Sequence, residues 1–418
     1  MSSRAEYDAV VVGGSLAGCS TAIGLGRAGA RVALVEQRPD LDAFKRMCSH
    51  YIQSSAVPAI ERLGLMEPIE KAGGVHSRVR LWTRWGWMDT ARTSRLPAGV
   101  NIRREVLDPM LRKMATDTPG VDLMLGFTAK ELVLAGDRIG GVEVSDRNGE
   151  ERRLTGRLVV AADGRDSQMA KLAQVPVNTT HHGRFAYGAY YEGPPPVGAP
   201  DASIWLLDPQ WAAAFPTDSS LTFYGCMPTK DRLPEFKRDI ERAHKSFVAD
   251  LPEAPPILES RRVSPIIGKV EMPNQNRVPS HRGMALVGDA ALATDPLWGV
   301  GCGWAFESAE WLTESVAPAL RGEQALDEAL ERYSHRFRRH LKGHAKAIDD
   351  YATGRRYNAI ERALFATAVD DEALARRLEA FATRNIPFNP VGMAGALVAA
   401  RVRRRLPRTH APRPQVAA

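Results

Sequence analysis

The stretch of residues 7–36 restricts what this chain can fold into more than any other. An apolar run, Ala9-Val10-Val11-Val12, leads into Gly13-Gly14-Ser15-Leu16-Ala17-Gly18, then a helical pattern to Ala28, then Val32-Ala33-Leu34-Val35 closed by Glu36. A strand, a glycine turn, a helix and a second strand in that order make one βαβ unit of a parallel sheet. The turn departs from G-x-G-x-x-G only at its middle glycine, where Ser15 stands. Such a turn needs a sharp bend, close approach of the backbone to a pyrophosphate, and helix N–H groups aimed at negative charge. Ser15 weakens the second of these and adds a hydroxyl. Glu36 is placed to accept both hydroxyls of an adenosine ribose, which favours a free 2'-hydroxyl and so FAD or NAD over NADP. An ordinary βαβ turn would not need the terminal acid.

Two further runs have the continuous apolar character of buried parallel strands, Leu158-Val159-Val160-Ala161-Ala162-Asp163-Gly164 and Met284-Ala285-Leu286-Val287-Gly288-Asp289. Between them, residues 185–267 mix aromatic and polar side chains with period two (Tyr187, Tyr190, Tyr191, Trp205, Phe223, Tyr224) and are punctuated by Pro194-Pro195-Pro196. This predicts a largely antiparallel sheet inserted into the first domain. The expected architecture is α/β. A doubly wound, Rossmann-like dinucleotide-binding domain, FAD-binding by the resemblance that follows, takes residues 1–75, 98–178 and 281–320. An antiparallel β substrate domain takes residues 76–97 and 179–280, and a helical segment with a basic tail takes residues 321–418.

On these residues the chain resembles the flavoprotein monooxygenase superfamily, which includes aromatic hydroxylases, geranylgeranyl-type reductases and flavin-dependent halogenases. The resemblance covers most of residues 7–315. Ala162-Asp163-Gly164-Arg165-Asp166-Ser167 is similar to its D-G segment near the cofactor phosphates. Gly288-Asp289-Ala290-Ala291, with Asp295-Pro296 and Gly299-Val300-Gly301-Cys302-Gly303, is similar to its G-D segment, whose glycine turn opens a helix beneath the isoalloxazine. Backbone N–H groups there would stabilise the charge of reduced flavin. Arg104, followed by Leu107-Asp108, stands where the family has a phosphate-side arginine. The implied cofactor set is Gly13, Gly14, Ser15, Ala17, Gly18, Glu36, Gln37, Arg38, Arg46, Cys48, Arg104, Asp163, Gly164, Gly288, Asp289, Pro296, Gly299, Val300 and Gly301. It implies non-covalent FAD, reduced by NADH or NADPH directly or through a separate flavin reductase, and one oxygen atom passed to a small organic substrate through a flavin C4a-hydroperoxide. Hydroxylation or epoxidation is expected, with a geranylgeranyl-type reductase or a halogenase as alternatives and a non-enzymatic flavin binder as a further class. Asp289, beside the flavin, is expected to matter more for FAD retention than Glu36 at the outer ribose.

Lys45-Arg46-Met47-Cys48-Ser49-His50-Tyr51 resembles the basic-then-cysteine stretch of the reductase branch, without the glycine usual after the cysteine. Two readings stand: Cys48 and His50 line the flavin site, or they are a buried thiol and a surface imidazole. Trp85-Gly86-Trp87 is similar to part of the halogenase W-x-W-x-I-P, but Met88-Asp89-Thr90 follows and the pair precedes the D-G segment, so it reads as sheet packing. Lys45 is the lysine nearest the flavin-side motifs, and its context does not match a halogenase lysine. His340 and His344 are four apart without a third ligand, and read as a solvated helix face. His181-His182 opens the aromatic sheet and is a candidate to bond substrate. Cys302 at a helix start reads as packing. No general base stands out.

Composition narrows the remaining classes. Four scattered cysteines, without a C-x-x-C pair, suit a reducing cytoplasm rather than a disulfide scaffold. The start of the chain lacks the pattern of a signal peptide, and no apolar run approaches the roughly 20 residues of a membrane span. The net charge of +7 sits at the end of the chain: residues 321–418 carry 19 Lys+Arg against 11 Asp+Glu, the rest 37 against 38. That distribution argues against nucleic acid. The segment reads as solvated amphipathic helices, with a weak contact to an acidic partner or membrane surface as the alternative. Only the last few residues look disordered.

Overall fold

The structure, a computed structural model, describes residues 6–88, 90 and 93–405. Asp89 and the last residues of the tail, 406–418, named above, therefore lie outside the described residues. Near-continuous apolar sequence becomes buried parallel strand as expected: Tyr7–Val12 pairs in parallel with Val32–Glu36 on one side and with Glu151–Ala161 on the other. Val121–Leu125 extends the sheet beyond the first of these and Met284–Leu286 beyond the second. Helix α1 (Leu16–Arg27), α2 (Arg104–Thr116) and α3 (Gly301–Leu320) bring apolar residues against this sheet in one core, where Val10, Ile23, Leu34, Val160 and Leu312 have no exposed surface.

The second large sheet is antiparallel except at one junction. Ala186–Glu192, Leu221–Met227, Trp211–Thr217 and Ala202–Leu206 follow one another across it, and Ala202–Leu206 then pairs in parallel with Val79–Thr83, which turns into Gly86–Met88. Period two sorts its side chains between two cores. Phe185, Tyr191, Trp205 and Tyr224 lie on the face covered by Phe236 and Phe247 of two short helices. Ile204, Trp211, Phe215, Phe223 and Met227 lie on the other, against Tyr51, Met272 and Trp298. Trp87 packs on Trp205 with ring centroids 5.4 Å apart, in keeping with the packing role expected of the tryptophan pair.

After α3 the chain forms α4 (Leu326–Ala352), α5 (Ala359–Ala368), α6 (Glu372–Ala382) and α7 (Pro390–Arg405). Helix α4 departs from a purely solvated face. His340 stays exposed beside Trp311, whereas His344 is buried and stacks on Phe381, because the segment after α6 folds back over this side of α4. Burial holds the His344 imidazole down at about 4. Among the described residues no group of three potential ligands gathers to hold a metal, and no helix is long and apolar enough to cross a membrane.

Candidate functional site

The site begins at the first turn. Gly13 has φ +113°, and a Cβ there would meet the Ala162 carbonyl oxygen at 2.4 Å; a Cβ on Gly18 would meet the Gly13 oxygen at 1.7 Å. Only glycine closes this turn against the following helix. Helix α1 starts at Ser15 without a side-chain cap. The Ser15 hydroxyl instead accepts a bond from Arg104 Nη2 at 2.6 Å, so the first N–H groups of α1 stay available to an anion. Ala17 is buried under Gly288 and sets the packing of α1.

Glu36 is buried at the end of its strand. Its Oε2 accepts the Gly14 N–H at 2.7 Å and its Oε1 the Arg38 N–H at 3.0 Å. A carboxylate has about four lone-pair sites, so two remain for the vicinal hydroxyls of a ribose. Gln37 is exposed and Arg38 half-buried beside it.

Arg104 is buried. Its Nε and Nη2 bond Asp108 Oδ1 at 2.8 and 2.7 Å, and Asp108 Oδ2 accepts the Lys45 N–H at 2.9 Å. This ties the 45–50 segment to the α1 turn. Arg112, which sequence reasoning missed, supports the same turn from below: its Nε donates to the Gly14 carbonyl and its Nη1 to those of Leu41 and Ala43. Lys45 Nζ donates to Asp289 Oδ2 at 2.9 Å. Burial would raise the Asp289 pKa, but Lys45 and Arg165 outweigh it and hold the carboxyl below the usual range. Arg46 is exposed at the same rim.

Beyond Asp289 the chain turns through Pro296, Gly299 at φ +62° and buried Val300 into α3, which also starts without a side-chain cap. A Cβ on Gly301 would approach only Asp289 Oδ1, at 3.8 Å, so the helix start is open. Gly288 packs against Ala17 and Ala305. The site thus has two uncapped helix N-termini, a ribose-accepting carboxylate and an open glycine face, which is the donor set a dinucleotide with a reducible ring requires. These residues fit FAD.

Asp163 builds the turn from within. Its two oxygens accept the Ser167 hydroxyl at 2.5 Å and the Met169 N–H at 2.9 Å, while Gly164 at φ +84° stays open. His182, a candidate for substrate bonding, is instead buried and fully engaged: Nδ1 meets the Arg184 carbonyl at 2.8 Å and Nε2 meets Asp295 Oδ2 at 2.8 Å. Arg184 pairs with the same carboxylate. Burial alone would raise the Asp295 pKa, but Arg184 and His182 hold it far below the ordinary range.

Cys48 and Cys302 come together, Sγ to Sγ 3.6 Å, a contact across 254 residues that spacing does not reveal. Cys48 Sγ also receives the His50 N–H at 3.3 Å and lies near Arg104, and its contact with Cys302 lowers its pKa while raising that of Cys302, so Cys48 is the more acidic of the two. His50 is buried with φ +64°, and burial lowers its imidazole pKa to about 4. Its Nδ1 accepts the Arg104 N–H at 2.8 Å and its Nε2 touches the Tyr190 hydroxyl. Tyr190 belongs to the antiparallel sheet, so this bond joins the two halves of the molecule where Tyr51, Phe215 and Phe223 also meet.

Comparison with known proteins agrees with this geometry. A family described as "FAD binding domain" matches residues 6–347. Para-nitrophenol 4-monooxygenase of Pseudomonas sp. strain WBC-3 is 25% identical over 344 residues, 78% of this chain and 81% of the relative. Digeranylgeranylglycerophospholipid reductase of Picrophilus torridus is 24% identical over 349 residues, 78% of this chain and 82% of the relative. Among solved structures, a flavin-dependent brominase superposes with a TM-score of 0.75 at 18% identity, over 95% of this chain and 98% of that one.

Proposed function

The chain belongs to the FAD binding domain family, whose members are FAD-dependent oxidoreductases, and from that premise we propose that it is a monooxygenase that hydroxylates or epoxidises a small organic substrate at the junction of its two large sheets.

 The observation that carries this reading is the aromatic cluster of Tyr51, Phe215, Phe223 and Trp298 where the two large sheets meet, with the Tyr190 hydroxyl held beside it by His50. Flat apolar surfaces with one fixed polar group suit an aromatic ring that bears an oxygen.

FAD, when bound, supplies the redox and oxygen chemistry. The chain's own residues do the rest. Glu36 and the start of α1 would hold the adenosine and pyrophosphate of the cofactor, and the start of α3 would favour negative charge on its reduced ring. The aromatic cluster keeps water from the reacting atoms. His50 accepts a backbone N–H at Nδ1, so the neutral ring carries its proton at Nε2 and donates to the Tyr190 oxygen. The phenolic proton is then left for a substrate oxygen.

Electrons from NADH or NADPH, taken directly or through a separate reductase, belong to the same proposal. A saturating reductase is the second reading, favoured by Cys48 packed on Cys302 in the stretch that resembles that branch. A halogenase is disfavoured because Lys45 is engaged with Asp289. The test is to photoreduce the holoenzyme and mix it with labelled oxygen gas and a panel of phenols, with and without bromide. A product heavier by one labelled oxygen, indifferent to halide, is expected. A product gaining two hydrogens, or one that needs halide, would replace this reading with the reductase or the halogenase.

A further inference from the structure

Helix α7 (Pro390–Arg405) is apolar on two opposite sides. Leu397 and Ala400 are buried against Leu364, Leu374 and Leu378 of α5 and α6. Val391, Val398 and Val402, at spacings of seven and four, form a second stripe that is 81%, 62% and 52% exposed, and Phe388 just before the helix is 41% exposed. Amphipathic packing on a bundle needs only the first stripe. The second has no partner among the described residues.

Its electrostatic setting is one-sided. After Glu379 the chain contains seven arginines and no Asp or Glu, and six of those arginines lie from residue 401 onward. Arg401 is exposed on the last turn of α7, beside Val402 and Val398. Arg403 is paired with Asp371, which anchors this end of α7 to the start of α6. An exposed valine stripe running into an arginine-rich end without acidic residues, on a docked helix, is the composition of an element that lies in the plane of a lipid surface.

We propose that the outer face of α7 docks the protein on an anionic lipid bilayer. A second copy of the chain fits less well. The stripe offers on the order of 400 Å², half of the about 800 Å² per partner of a stable interface, and a parallel pairing would bring two arginine-rich ends together. The docked face belongs to the bundle that closes one side of the aromatic site, since Leu81 and Phe365 pack on both the bundle core and the site's core. The dock would therefore set that side of the site next to the bilayer.

The test is flotation of the full-length holoenzyme with vesicles of phosphatidylcholine alone or with a quarter phosphatidylglycerol. Binding to the anionic vesicles alone, weakened at least tenfold by raising salt from 0.1 to 0.5 M, is expected. The pair Val391→Asp with Val398→Asp, both on solvent-facing positions, is expected to lower binding at least tenfold while the protein stays yellow. Arg401→Glu is expected to lower it roughly fivefold or more. Undiminished binding by the valine pair would overturn the proposal, because the tail would then act without the helix. So would failure of the wild type to float with anionic vesicles. Gel filtration showing a dimer that Val398→Asp dissociates would assign the stripe to a second copy instead. None of these readouts depends on which reaction the enzyme performs.

Discussion

Lys45 Nζ lies 2.9 Å from Asp289 Oδ2, so the acid expected beside the flavin already has a cation at its side. This changes the ranking of the two cofactor acids. Removing Asp289 frees Lys45, and a free ammonium at the rim of a phosphate site offsets part of what the carboxylate contributed. Removing Glu36 leaves the Gly14 and Arg38 N–H groups without their acceptor in a buried setting. Hydrogen bonds to a charged group contribute about 1.5–3 kcal/mol each. Glu36→Ala is therefore expected to weaken FAD binding by roughly ten- to a hundredfold, and Asp289→Ala by less, in titrations of apoprotein. A larger loss in Asp289→Ala would restore the ranking that sequence position suggests.

Two glycines separate crowding from backbone strain. A Cβ on Gly18 would overlap the Gly13 oxygen, whereas one on Gly164 meets nothing within 4 Å and suffers only from φ +84°. Gly18→Ala is expected to give colourless or insoluble protein. Gly164→Ala is expected to stay yellow and lose about 1–2 kcal/mol, the cost of the left-handed region for an L residue. Thermal melts and the flavin-to-protein absorbance ratio check both.

Asp295 is enclosed by Arg184 and His182, with all three side chains buried. Replacing one partner of such a group leaves a charge without compensation, at a cost of about 3–5 kcal/mol. Asp295→Asn is expected to lower the melting temperature more than Arg62→Ala, which removes an exposed pair with Glu310. Equal melting temperatures would show that the buried cluster adds nothing. Because Asp295 leads directly into the turn before α3, loss of bound FAD is expected to accompany the lower stability.

The parallel strands, the glycine turns and the alternating aromatic sheet were legible because each follows from local period or from residues a few positions apart, whereas Arg104 stood out only through the family resemblance and its burial did not. The partners of these residues were not. His50 meets Tyr190 across 140 positions, and Arg384 bonds Gln53 Oε1 and Ser55 Oγ at 2.9 Å each while pairing with Glu307. No spacing rule connects such segments; only closure of the two halves and the fold-back after α6 does. His344 was misread for the same reason. Its helix shows a polar face, but which part of that face is covered depends on a later segment.

That burial has a consequence for pH. His50, His244 and His344 are each lowered to about 4 by burial, against 6.5 in an unfolded chain. The unfolded state therefore binds protons first as pH falls, so stability held above 6.5 is lost progressively toward 4, by at most about 3 kcal/mol for each imidazole. Glu307, raised by burial, acts in the opposite direction. A difference measurement isolates the imidazole: between pH 7 and 5, His344→Phe is expected to lose less melting temperature than the wild type. Parallel curves would mean that His344 is not held neutral.

The last prediction concerns the proton of Tyr190. His50 Nδ1 accepts the Arg104 N–H, and a backbone amide only donates, so the remaining ring proton sits on Nε2 and points at the Tyr190 oxygen. The phenolic hydrogen is then free to bond an oxygen on the substrate. Tyr190→Phe removes that donor while keeping the ring that packs on Phe223 at 5.5 Å. Asparagine at position 50 tolerates a positive φ and can still accept the Arg104 N–H, but its side chain does not reach Tyr190. Both Tyr190→Phe and His50→Asn are therefore expected to retain FAD with unchanged affinity. Product formed per turnover of reduced enzyme is expected to fall about tenfold or more, since a site that bonds a substrate oxygen loses discrimination when that bond is absent. A purely packing role for Tyr190 would leave the phenylalanine variant with full product yield and change only its melting temperature. Full yield in Tyr190→Phe together with a loss in His50→Asn would instead place the working group on the imidazole.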